Sequence, residues 1–337
     1  MKSDIILLGH GSGGKLSHQL LDDIIIPALS GIAQSEQNDA AILARPDGRL
    51  AFTTDSYVVD PIFFPGGCIG DLAINGTVND LAMAGAKPLA ISVGLILEEG
   101  LPVSDLEEIL QAMRQAADKV GVNIVTGDTK VVPRGKADKI FINTSGVGVI
   151  EHELTICGSG ARPGDKIIIN GTVGDHGMAV LASREGLELE STIESDCAEL
   201  HSLVEAMLAV GKEDIHVLRD PTRGGVATTL KEIALQSQMD IELVESAIPV
   251  NDNVGGACAI LGLDPLFVAN EGKLLAVVAA EKAEQILAAM QEQPTGKDAS
   301  IIGTVINKGA GRLSLETVIG GKRSVEMLAG EQLPRIC

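Results

Sequence analysis

Apolar positions along the chain alternate between helical and strand periods. Over 104–120, Leu106, Ile109, Leu110, Met113 and Val120 fall on one helical face, and Ser104 with Glu107 reads as a capping box at its start. Residues 17–29 predict an earlier helix, with Ser17 as N-cap and Pro27 near the exit. Short strands are expected at 41–44 and 50–54, around the turn Pro46-Asp47-Gly48. The small-residue stretch 67–85 predicts a helix carrying Asn79 and Asp80, followed by a buried strand over 88–97 and strands at 122–126 and 139–149. A turn-rich segment, Gly158-Ser159-Gly160-Ala161-Arg162-Pro163-Gly164-Asp165, then interrupts the pattern. It restarts with a strand at 166–170, a helix from 176, a helix at 196–210, a strand at 215–219 and a helix from 224. Strands near 241–244 and within 266–278, a helix at 281–292 and a strand at 300–306 complete it. Strands mixed with helices in both halves predict an α/β (α+β) fold of two domains, 1–157 and 158–328, whose sheets are covered by helices. Residues 329–337 show no periodicity and are expected to form a mobile tail.

Composition narrows the function. Aromatic residues make up 2% of the 337, so the core has to be built from Ala, Val, Ile and Leu. The formal charge of −20 argues against a nucleic-acid or anionic-membrane surface, both of which need basic patches. No apolar run approaches the roughly 20 residues of a membrane helix, and the N-terminus has no secretory signature. Cys68, Cys157, Cys197, Cys258 and Cys337 are scattered without a Cys-x-x-Cys pair, as for reduced thiols in a cytoplasmic protein.

Candidate chemistry begins at Gly9-His10-Gly11-Ser12-Gly13-Gly14-Lys15-Leu16. Gly9, Gly14 and Lys15 match a P-loop spacing, but Leu16 stands where such a loop needs Ser or Thr for Mg2+, so the P-loop reading fails. The backbone of Gly11, Gly13 and Gly14 can still cradle phosphate; a plain flexible loop is the alternative. Asp39, Asp55, Asp71, Asp128 and Asp220 recur at turns and element ends, where hard oxygen ligands suit Mg2+ shared with phosphates. Asp128 has Lys130 beside it, and Asp220 has Arg223 with Gly224 and Gly225, a combination suited to a metal-bound polyphosphate. His10 and His176 read as loop histidines.

These segments together resemble the PurM-like ATP-binding superfamily, and within it the HypE family of carbamoyl dehydratases from hydrogenase maturation. The resemblance runs through His10-Gly11-Ser12-Gly13-Gly14, Asn38-Asp39-Ala40-Ala41, Thr54-Asp55-Ser56-Tyr57, Gly70-Asp71-Leu72-Ala73 and Val78-Asn79-Asp80-Leu81. It continues through Thr126-Gly127-Asp128-Thr129-Lys130, Gly174-Asp175-His176-Gly177, Asp220-Pro221-Thr222-Arg223-Gly224-Gly225 and Asn270-Glu271-Gly272 to the ending Pro334-Arg335-Ile336-Cys337.

The resemblance implies a PurM-like two-domain chain that forms a homodimer through its N-terminal sheets and binds ATP and Mg2+. It further implies that Cys337 carries a carbamoyl group which is dehydrated to a nitrile. On this reading Glu271 is the base, while Lys130 and Arg223 orient the group and the phosphoryl oxygens. Asp55, Asp71, Asp128 and Asp220 hold the metal, and Asp39, Asn79 and the loop glycines contact the nucleotide. The implied partners are a HypF carbamoyltransferase that loads the cysteine and a HypC–HypD complex that receives the cyanide. Other readings are a selenophosphate synthetase, which would carry a reactive Cys in the glycine loop where Ser12 stands, a thiamine-monophosphate kinase, or a non-catalytic maturation scaffold.

Overall fold

A computed structural model describes residues 4–29, 40–44, 46–187, 192–327 and 335–337. The first half is built on a sheet of order β1-β6-β4-β5, comprising β1 (Arg49–Tyr57), β4 (Lys87–Glu98), β5 (Asn123–Val132) and β6 (Ile140–Ile150). β2 (Phe63–Phe64) and β3 (Gly67–Cys68) make a small separate ribbon. β4 and β5 run parallel, and the other pairs are antiparallel. The helical stretch over 15–29 contains α1 (Lys15–Leu20) and α2 (Ile26–Leu29), joined by a π-wound turn.

α3 (Ile69–Met83) and α4 (Val103–Val120) cover one face of the sheet. Leu72, Ile69, Leu106, Ile109 and Met113 meet Ile91, Leu95, Leu97, Ile140 and Ile142 there. α3 is buried almost all round because it also packs against the second half of the chain. Among the described residues nothing covers the other face of the sheet. Alternation therefore puts Leu50, Phe52, Thr54 and Ser56 of β1 outward, and Ala51, Thr53, Asp55 and Tyr57 toward α3.

The second half holds a sheet of order β13-β12-β9-β11-β7-β10-β8. Its strands are β7 (Lys166–Ile169), β8 (Ile215–Arg219), β9 (Met239–Val244), β10 (Leu275–Val278), β11 (Ser300–Lys308), β12 (Leu313–Glu316) and β13 (Lys322–Ser324). The helices are α5 (Asp175–Glu185), α6 (His201–Gly211), α7 (Gly225–Ser237), α8 (Asp252–Leu261) and α9 (Ala283–Gln291). In β7 and β10 the runs Ile167–Ile169 and Leu275–Val278 are unbroken and apolar because both faces are covered. Ile167, Ile169, Val217 and Val277 face α7, while Ile168, Leu218, Ala276 and Val278 face α6 and α9.

Local departures from the sequence pattern have local causes. The segment 41–44 is exposed and outside any strand. The helix expected from Ser17 begins at Lys15, and Ser17 Oγ instead accepts a bond from Gly13 N at 2.8 Å. α4 starts behind Pro102, and the hydroxyl of Ser104 turns to Asp105 rather than forming a box. α6 starts at His201 rather than 196, because the N–H of Leu200 is taken by Asn79 Oδ1 at 2.8 Å and the preceding segment runs extended. Of 266–278 only β10 is strand; Asp264 and Pro265 wind a 3-10 turn ahead of it. The tail expected to be mobile is docked over its last three residues. Ile336 is 3% exposed and joins the core of the first half.

Candidate active site

A cleft of about 440 Å3 opens between the two halves. β1 supplies Thr54 and Asp55, and α3 supplies Gly76 and Asp80. The end of β8 and the turn after it contribute Arg219, Asp220 and Arg223; Glu271 and Cys337 close it. Asp80 is oriented by Thr53, whose hydroxyl donates to Asp80 Oδ2 at 2.6 Å. Gly224 and Gly225 turn the chain from Arg223 into α7 at φ values of +74° and +62°, which side-chain-bearing residues rarely adopt.

Glu271 is held from several directions. Its N–H donates to Asp196 Oδ1 at 3.1 Å, and its carbonyl accepts from Asn79 Nδ2 at 3.2 Å. Asn270 donates to the carbonyls of Pro221 and Val268 and accepts from Gly174 N, tying the motif to the Asp220 turn. At Gly272 the backbone of Asp196 passes so close that any Cβ would collide with it. These contacts leave Glu271 4% exposed, with Oε1 buried and lacking a hydrogen-bond partner. Burial, reinforced by Asp220, Asp196, Asp55 and Asp80, drives its carboxyl well above the usual carboxylate range. Asp220 is pushed up to about 6 by burial and by Asp80, and Asp80 is raised chiefly by burial.

Cys337 enters from the docked tail. Its carbonyl accepts from Val58 N at 3.0 Å, just beyond β1. Burial and the carboxyl of Glu271 push its thiol up to about 12, against an opposing pull from Arg223. The docked sulfur is therefore a neutral thiol at physiological pH and a weak nucleophile.

Of the residues singled out by sequence, the cleft gathers Cys337, Glu271, Arg223, Asp55 and Asp220. Asp80 and Arg219 also line it, though the sequence reading did not select either as a site residue. Asp80 sits in the motif Val78-Asn79-Asp80-Leu81 one helix turn after Gly76, and that spacing was the available signal.

The remaining candidates lie elsewhere. Asp71 is in the first turn of α3 and accepts from Cys68 N at 3.0 Å. Asn79 is 1% exposed, and its amide spans Ala198, Leu200 and Glu271, so it braces the backbone of Glu271. Asp128 and Lys130 are paired at 2.6 Å on exposed β5, at the sheet edge opposite β1. Three strand spacings, roughly 14 Å, separate them from β1. Gly11 packs against Val131 of that same strand, and Gly13 and Gly14 continue the loop there. Asp39 lies outside the described residues.

Neither histidine is a plain loop residue. His10 is 2% exposed and accepts from Leu7 N through Nδ1. His176 is fully buried against the tail. Among the described residues no group of three or more His, Cys, Asp or Glu side chains is arranged to hold a metal ion. Nor is any helix among them long and apolar enough to cross a membrane.

The chain matches the AIR synthase related protein N-terminal domain over residues 37–150 and the C-terminal domain over 162–316. It is 51% identical to carbamoyl dehydratase HypE of Azotobacter vinelandii over 337 residues, all of this chain and 98% of the relative. The chain belongs to the HypE family. A crystal structure of the hydrogenase maturation protein HypE in complex with ATP superposes with a TM-score of 0.94 at 51% identity, covering 98% of this chain and 99% of the other. A HypE–HypF complex superposes with a TM-score of 0.81 at 45% identity, covering 94% of this chain and 100% of that chain. The two-domain PurM-like architecture expected from the motifs is the one observed.

Proposed function

We infer that the protein is an ATP-dependent carbamoyl dehydratase that converts a thiocarbamate on Cys337 into a thiocyanate, the source of a cyanide ligand for the iron of NiFe hydrogenase. One observation carries this reading: the sulfur-bearing residue lies in the same cleft as Glu271, whose buried Oε1 has no partner. Membership of a family whose relatives are carbamoyl dehydratases supports it.

The chemistry follows from the groups present. Cys337 presents Cys–S–C(=O)–NH2, whose oxygen cannot leave readily as hydroxide. ATP supplies a phosphoryl group to that oxygen, making phosphate the leaving group. Phosphorylation releases ADP and the nitrogen gives one proton to solvent, leaving an O-phosphorylated imidate. Glu271 in its ionised form then takes the second N–H proton as the C–O bond breaks, phosphate leaves and the C≡N bond is completed. Arg223 faces the negative charge that develops on the transferring oxygens. Because the carrier is part of the chain, reacting groups meet without a second diffusional encounter, a benefit of several kcal/mol, up to roughly 7–11. The neutral, docked thiol is ill suited to accept the carbamoyl group, so we assign loading to an undocked tail held by a HypF-type partner. Cyanide then passes to a HypC–HypD-type acceptor.

One or two of Asp55, Asp80 and Asp220 would hold Mg2+ together with the polyphosphate, since a cation would relieve the crowding that raises Asp80 and Asp220. Mg2+ needs only one or two carboxylates beside phosphates and water. When bound it would neutralise charge on the polyphosphate. We assign Asp128, Lys130 and the glycine loop to a nucleotide site completed across a homodimer formed by the uncovered sheet faces. Leu50 and Phe52, 64% and 71% exposed, support that face as an interface. We take 1–157, 158–328 and 329–337 as the two domains and the carrier tail, and the cytoplasm as the site of action.

The test is to incubate the protein with its carbamoyl-transferring partner and Mg-ATP, then weigh the C-terminal peptide. Loss of one water from the carbamoylated peptide is expected. Cys337→Ala should keep ATP binding and lose the modification entirely; nitrile formation in that variant refutes the reading.

A further inference from the structure

Among the described residues, His176 is the one fully buried titratable side chain that bonds the docked tail, and the dehydration chemistry above makes no use of it. It is 0% exposed, edge-on to Phe64 with ring centroids 5.4 Å apart. Nε2 lies 2.9 Å from the carbonyl oxygen of Ile336, the residue before the carrier cysteine. Nδ1 lies 2.8 Å from Ser195 Oγ.

The tautomer follows from the Ile336 carbonyl, which can only accept, so Nε2 carries the proton and Nδ1 of the neutral ring accepts from the Ser195 hydroxyl. Cys197 N–H, which can only donate, points at Ser195 Oγ at 3.1 Å. The serine oxygen accepts that bond while its own hydrogen goes to Nδ1. Burial lowers the basicity of the ring and keeps it in this neutral form.

The segment that fixes His176 also fixes the base. Ser195 and Cys197 flank Asp196, whose Oδ1 accepts from the Glu271 N–H and whose Oδ2 pairs with Lys273 at 3.0 Å. The tail carbonyl and the base are thus both referenced to one short run of backbone. The neighbouring tail carbonyls have donors of their own, Arg184 for Arg335 and Val58 N for Cys337. These anchors are separate from the 195–197 segment.

We propose that His176 is a positioning residue: through the series Cys197 N–H, Ser195 Oγ, His176 it holds the Ile336 carbonyl and so sets the sulfur of Cys337 in register with Glu271. The kinetic part of this rests on the dehydratase reading; the docking part does not.

The experiment uses the full chain and three variants: His176→Phe, which keeps an aromatic ring but no donor; His176→Gln, which keeps a donor; and Ser195→Ala, which removes the hydroxyl that holds the ring through Nδ1. Iodoacetamide alkylation of Cys337, read by mass spectrometry of the C-terminal peptide, reports docking without any turnover. Leaving one buried carbonyl unpaired should speed alkylation about five- to a hundred-fold in His176→Phe. Ser195→Ala should be intermediate and His176→Gln close to wild type. Single-turnover dehydration of preloaded protein should fall in the same order, with the KM for ATP unchanged.

Wild-type alkylation rates in a folded His176→Phe protein, or a Gln variant no better than Phe, overturn the proposal. If the Phe variant does not fold, an unchanged rate in Ser195→Ala overturns it and a faster one supports it. If alkylation responds as expected but wild type itself does not dehydrate, the dehydratase reading fails and the docking role stands.

Discussion

Replacing Glu271 by glutamine removes one charge and one basic oxygen while retaining size, and both backbone anchors, the Asp196 acceptor and the Asn79 donor, are unaffected. Nucleotide affinity should therefore change little. Loss of a positioned base costs about 10²- to 10⁴-fold in rate, or roughly 3–5 kcal/mol of transition-state stabilisation. The assay is single-turnover loss of water from the preloaded C-terminal peptide, with ATP binding followed separately by calorimetry.

The pH dependence adds an independent check. Burial and the surrounding aspartates raise the Glu271 carboxyl, so the folded protein holds that proton more tightly than the unfolded chain. The resulting stability is fully present below the ordinary carboxylate range and is lost as pH rises through the raised value. Wild type should thus lose stability relative to Glu271→Gln across that window, while its reaction rate climbs over the same window as the base ionises. The variant should lack that limb of the rate profile. Turnover within about three-fold of wild type, or an acid limb that survives the substitution, would remove Glu271 from the mechanism.

Two further outcomes are expected. Asp220→Asn should stabilise the empty protein above about pH 6 and not below about pH 4, because the native carboxyl is raised from 3.8 to about 6. That rise corresponds to roughly 3 kcal/mol at most, cut to about 1–2 by its partial exposure, and urea denaturation at both pH values measures it. Phe52→Asp, on the uncovered face of β1, should shift the protein to monomer in sedimentation and weaken ATP binding while each chain keeps its melting temperature; an unaltered sedimentation coefficient would exclude that face as the interface.

Much of this protein is legible in one dimension. The period of Leu106, Ile109, Leu110 and Met113 marks α4, and the unbroken apolar run of β7 marks a strand covered on both faces, because burial imposes those periods locally. The motif Asn270-Glu271-Gly272 could be singled out as a unit. Its reasons are tertiary: the asparagine ties it to Pro221, the carboxyl has no partner, and the glycine yields to the backbone of Asp196. The carboxylates were recognisable as a set but not as members of one cleft. Asp55 and Asp220 meet Asp80 only because α3 packs between the halves, while Asp128 is carried to the opposite sheet edge by strand order, which no local pattern encodes. The tail shows the same division most plainly. Its sequence carries no period, since three residues held by their carbonyls need none. Only the folded surface, with donors from Val58, Arg184 and His176 and a core site for Ile336, decides that it docks and where its sulfur lies.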